Sequence, residues 1–72
     1  MLVHIEPMET IVFTISRSER SGIIHITSNN LNYHKYNRRV LCGATFQLYE
    51  AMATISSEMN NNEGKAVLFQ IE

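Results

Sequence analysis

The stretch Arg38 to Met59, RRVLCGATFQLYEAMATISSEM, is the one long helical pattern in the chain. Leu41, Thr45, Leu48, Met52, Ile55 and Met59 recur at spacings of three and four, and Ala44 widens the stripe. That spacing predicts an amphipathic helix. Gln47, Glu50, Thr54 and Ser57 fall opposite, with Gly43, and form the wet side. Cys42, Phe46, Tyr49 and Ala53 make a second row beside the stripe, so the cysteine sits at the margin of the buried face. Asn37 is the expected N-cap, without a capping box because no Glu or Gln follows three residues later. The run Asn60-Asn61-Asn62-Glu63-Gly64 ends the helix, since Asn and Gly tolerate the left-handed conformation of helix C-termini.

An amphipathic helix needs an apolar surface to cover, and the rest of the chain supplies strands. Ile11 to Ser16 is β-branched and aromatic, with Ile11, Phe13 and Ile15 on one face. Arg17 to Gly22 is a polar turn. Ile23 to Thr27 is the second strand, with Ile24 and Ile26 on one side and His25 on the other, and the two strands form a hairpin. Ser28 to Asn37, SNNLNYHKYN, holds four asparagines, two tyrosines, His34 and Lys35. Asparagine side chains compete for backbone hydrogen bonds, so an irregular, mobile loop is expected there. Lys65 to Ile71 is the third strand, with Val67, Phe69 and Ile71 alternating. The run Leu2-Val3-His4-Ile5 is stopped by Pro7 or confined by it to an edge. Residues 1–7 are therefore expected as a short extension or extra strand, and residues 8–72 as a single domain. The expected fold is α+β: a β-hairpin, a long loop, one amphipathic helix packed on a small, mainly antiparallel sheet, then a C-terminal strand.

Seventy-two residues bury a small core, worth only about 3–5 kcal/mol net. With one cysteine there is no intrachain disulfide to help. No metal-ligand cluster is visible, and neither a metal nor a cofactor is expected. A homodimer built on an apolar helix face or a sheet edge is the expected remedy. A net charge of -1, with Lys and Arg scattered except for Arg38-Arg39, argues against nucleic acid as a partner. No apolar run approaches the roughly 20 residues of a membrane span, and MLVHIEP lacks the basic-then-apolar layout of a signal peptide. A lone cysteine fits a reducing cytoplasm, the expected location.

Cys42 carries the one chemical possibility. In the first turn of a helix a thiol meets the positive end of the macrodipole and free backbone N–H groups, both of which favour a thiolate nucleophile. Arg38 and Arg39 add positive charge. Of His4, His25 and His34, the last lies eight residues before the cysteine on the preceding loop and is the candidate base. Each of these residues also has a plain structural role. A cysteine beside an apolar stripe packs as a small hydrophobe. His25 faces outward from its strand, His4 lies on the surface, Tyr33 and Tyr36 pin the loop, Arg38-Arg39 is a solvated helix start, and Met52 and Met59 belong to the core.

The order of motifs resembles the ribosomal-processing cysteine proteases, the Prp or YsxB-like family. Thr14-Ile15-Ser16-Arg17, Gly22 and Ile24-His25-Ile26-Thr27-Ser28 are similar to that family's opening hairpin. Tyr33 falls where its loop tyrosine stands, Val40-Leu41-Cys42 with Ala44 and Leu48 look like its helix start, and Lys65 to Glu72 looks like a later strand. The likeness runs from about Met8 to the C-terminus and lacks the family's later elements, so a short version is expected. It implies a thiol protease that trims the N-terminal extension of a ribosomal or phage structural protein with a Cys–His dyad. Cys42 matches the nucleophile, and Ser28, Tyr33 and Tyr36 fall on the loop that would shape the substrate groove. The family's histidine, twelve residues earlier, falls on Asn30. The glycine before it is Asn29 and the alanine after it Leu31. The acidic residue three before the cysteine is Arg39, and the serine four after it is Phe46.

Asparagine does not titrate, so Asn30 takes no proton from a thiol and returns none to a leaving amine. Losing a positioned acid–base forfeits ~10²–10⁴ in rate. The expectation is therefore a non-catalytic Prp-like protein, of the kind a phage or prophage would encode, acting as a dimeric binding or scaffold module for a protein or peptide. The alternative is an active cysteine endopeptidase with His34 as substitute base. A third reading is an unrelated small interaction protein pairing through the Ile11–Ile15 or Val67–Ile71 edge.

Overall fold

Alternating apolar residues set the first strand, β1 (Thr10–Ser18), in which Ile11 and Phe13 are buried. β2 (Ile23–Ser28) pairs with it antiparallel, in a register that sets Ile15 opposite Ile26 and Phe13 opposite Ser28. The connecting turn closes when the Gly22 N–H donates to the Ser18 carbonyl at 3.1 Å. Gly22 has φ +68°, a conformation that disfavours any side chain with a Cβ. This computed structural model describes Val3 and residues 7–72. Val3 and Pro7 are exposed and in no strand; the rest of the 1–7 segment, with His4, lies outside the described residues.

The long helix expected from Arg38 to Met59 is corrected. Arg38–Leu41 is a strand, β3, paired antiparallel with β2. Its register partners are Ile23 with Leu41, Ile24 with Val40, His25 with Arg39 and Ile26 with Arg38. Cys42 and Gly43 make a turn, Gly43 has φ +90°, and the helix α1 (Thr45–Glu58) begins only after it. The reason is local. Gly43 leaves the right-handed region, and Val40 is buried in the core from an extended backbone. Asn37 does not cap α1; its Oδ1 accepts the Ser28 N–H at 2.7 Å and anchors the entry to β3. The N-cap position is Ala44, without a side-chain cap.

The loop before β3 is also more regular than expected. Leu31–Tyr36 coils as 3-10 turns kinked at Tyr33, and the Asn30 side chain caps their start by accepting the Asn32 N–H. Asparagine does use its side chain on backbone groups here, but to order the segment. Tyr36 is buried in the core and Tyr33 packs against it.

α1 runs into a π turn, Met59–Glu63, ended by Gly64 at φ +65°. β4 (Ala66–Ile71) then pairs parallel with β1. The sheet has four strands in the order β3-β2-β1-β4, one more than expected. α1 thus leaves one edge strand and returns to the other, crossing the sheet on one face. Ile55 and Met59 are fully buried beneath it, with Leu48, Ala51 and Met52 packed alongside. Leu41 and Thr45, expected on the buried stripe, are exposed. β1 lies inside the sheet, so Ile11–Ile15 is no edge; β3 and β4 are the edges. Among the described residues no element covers the second sheet face. By strand alternation it carries Thr14, Ser16, His25, Thr27, Arg39 and Gln70 together with the apolar Val12, Ile23, Leu41 and Leu68.

At the start of the parallel pair, Lys65 Nζ lies 3.1 Å from Glu9 Oε2, and the Ala66 N–H donates to the Glu9 carbonyl. The hydrogen bond to Glu9, then its charge, raise the Lys65 pKa above 10.5. A raised pKa adds stability that is complete below the unfolded value and is lost as pH rises through the folded one. The contribution is small because the pair is solvated. Melts at neutral pH and above the Lys65 pKa check this: a small wild-type advantage over Lys65→Met disappears at the higher pH.

Candidate functional site

Cys42 is half-buried in the turn between β3 and α1. Its N–H donates to the Gly22 carbonyl at 2.7 Å, which ties it to the N-terminal end of β2. The thiol is therefore not in the first helical turn, and the macrodipole argument loses its geometry. The helix opening on Val40-Leu41-Cys42, on which the likeness to the Prp family leans, is a strand and turn instead. Phe46, at the family's serine position, is 79% exposed.

The remaining expected site residues gather at the other end of β2. The His34 ring Nε2 lies 3.1 Å from the Ser28 carbonyl. The Ser28 Oγ donates to the Asn30 carbonyl and accepts the Asn30 N–H, both at 3.0 Å. Ser28 is buried, and Tyr33 and Tyr36 pack inward with it. From Gly22 to Ser28 is six residues of β2, or about 20 Å at ~3.3 Å per residue. The structure thus brings Ser28, Asn30 and His34 together and holds Cys42 apart from all of them. The separation applies to Asn30, the family's histidine position, as much as to His34. His25 is roughly 10 Å from the cysteine along the strand direction by the same rise, since its register partner is Arg39.

Sequence reasoning missed the feature that the fold assembles on the open sheet face. A cleft of ≈ 360 Å³ is lined by His25, Thr27, Asn37, Arg38 and Arg39. His25 and Arg39 are opposed across the β2–β3 ladder, which puts their Cβ atoms about 4.5–5.5 Å apart on one side. Arg38 Nη2 meets Glu58 Oε1 at 2.6 Å, which ties β3 to α1. Among the described residues Arg39 has no acidic partner. The alternation shows the outward position of His25 but not its neighbour, because the helical spacing from Arg38 onward assigns Arg39 to a helix.

Among the described residues no group of three or more His, Cys, Asp or Glu could hold a metal ion, and no helix is long and apolar enough to cross a membrane. Fold and site together define an α+β scaffold, one sheet under one helix, with a polar cleft at one edge and a thiol remote from the described histidines. No protein-family model, curated protein or solved structure matches the chain.

Proposed function

We propose that this chain is a non-catalytic binding or scaffold protein that works as a homodimer, with the β1–β2 hairpin resembling that of the Prp family. The observation that carries this reading is the length of β2 between Cys42 and the His34 ring. A thiol hydrolase needs its imidazole within hydrogen-bond reach, about 2.6–3.2 Å in a competent complex. A gap of about 20 Å is not closed by side-chain rotation, and the His34 ring already contacts the Ser28 carbonyl. The endopeptidase reading, with His34 as base, has no observation in its favour. For the dimer, β4 is an edge strand, and Leu68 and Ile71 on it are 55% and 84% exposed. An unpaired apolar edge is a template for a second copy.

The test is a peptide-cleavage assay with mass-spectrometric readout, on wild type and Cys42→Ala. No products are expected from either, at equal fold stability, and sedimentation of both gives a dimer. Products that vanish with Cys42→Ala would overturn the proposal.

A further inference from the structure

We infer that the cleft between β2 and β3 takes an acidic side chain of a partner protein's extended segment, which adds to the sheet as a strand beside β3. The inference rests on the binding reading above and names the partner's chemistry.

Three observations carry it. First, His25, Thr27, Asn37 and Arg39, in the lining of the cleft, carry side chains that can donate hydrogen bonds, and no lining residue is a carboxylic acid; Arg38, also in the lining, is already paired with Glu58. A pocket of donors with a guanidinium among them fits a carboxylate, which Arg engages with two parallel bonds. Second, the cleft borders an edge strand. Among the described residues β3 pairs with β2 alone, so its outer side presents the alternate N–H and C=O groups that an added strand takes up. Third, charge selects the occupant. On this four-residue edge Arg39 has no acidic partner among the described residues, whereas Arg38 is already paired with Glu58. A second copy of β3 would bring like charges together, which disfavours self-pairing. An acidic segment meets the opposite sign. The dimer contact proposed at β4 lies at the far side of the sheet and leaves β3 open.

The experiment is a titration of the full-length, ¹⁵N-labelled chain with a capped six-residue peptide of alternating valine and glutamate. The matched valine–lysine peptide and inorganic phosphate serve as comparisons. The glutamate peptide is expected to shift the Arg38–Leu41 amides and the His25 ring signals. Arg39→Glu is expected to weaken it at least about tenfold, the size of one lost charge-assisted contact, and to bring in the lysine peptide instead. Arg39→Gln keeps the fold free of a reversed charge and is expected to give an intermediate loss. Equal binding of both peptides overturns the inference. So does binding of phosphate that moves His25 but leaves the β3 amides still, which would mark a bare oxyanion site. The peptide is recovered and weighed. If it is intact and no signal moved, the cleft assignment fails and the non-catalytic reading stands. If the β3 shifts appear and the peptide is cut in a Cys42-dependent way, the cleft assignment stands and the non-catalytic reading fails.

Discussion

Phe13→Ala leaves most of this chain unfolded in water at 25 °C. Phe13 is fully buried in β1, between Ser28 of β2 and Phe69 of β4 in the ladder. Its ring lies 6.1 Å from that of Phe69, tilted by 49°, in the range where aromatic pairs attract beyond their area. Truncating a buried phenylalanine costs about 3–5 kcal/mol, because the lost transfer energy adds to that of a cavity the core cannot fully close. A domain of this size has about 3–5 kcal/mol to lose. The core is thin: among the described residues it comprises, besides Phe13, Ile11, Ile26, Tyr36, Val40, Ile55 and Met59. Urea titration followed by circular dichroism is expected to give wild type a cooperative transition and Phe13→Ala almost no folded baseline. A midpoint close to wild type would mean that the sheet and helix do not close on this side chain.

Gly43→Ala destabilises, and the sign of its effect is the informative part. Gly43 has φ +90°, where an L side chain costs about 1–2 kcal/mol from backbone sterics alone. A Cβ there meets nothing within 4 Å, so the cost is conformational and not a clash. If the stretch from Arg38 were helical instead, the same substitution would stabilise by about 0.5–1 kcal/mol, since glycine is a poor residue inside a helix. The expected result is a lower urea midpoint at unchanged slope. A rise would restore the long helix and return Cys42 to its first turns.

That residue also shows where the sequence was legible. The hairpin could be read because its alternation is clean: Ile11, Phe13 and Ile15 are core or packed against it, and Ile26 is buried opposite. β4 could be read for the same reason from Val67 and Phe69. β3 could not. It is four residues long, its single buried side chain is Val40, and Leu41 falls by coincidence four residues before Thr45 and seven before Leu48. A short edge strand carries too little periodicity to compete with a helical stripe that runs into it. Gly43 was the available signal, a breaker set among apolar residues.

The candidate site was legible in chemistry and not in place. That asparagines in the 28–37 segment would bond backbone groups was readable, and Asn30 and Asn37 do so. A separation of eight in sequence suggests that His34 and Cys42 are close, but the intervening residues include a full edge strand that carries the chain from one end of the sheet to the other. The cleft of His25 and Arg39 was hidden for the converse reason: fourteen residues apart in sequence, they meet only through the β2–β3 register.

The distance between Cys42 and the loop that carries Asn30 and His34 decides between a binding protein and a thiol hydrolase. Because Cys42 is the single cysteine, a nitroxide attached there reports that distance without further engineering. Amide signals of Gly22 and Ile23 are expected to broaden beyond detection, while those of Ser28, Asn30 and His34 keep most of their intensity. Broadening at His34 or Asn30 as strong as at Gly22 would contradict the account and reopen the case for a thiol–imidazole site.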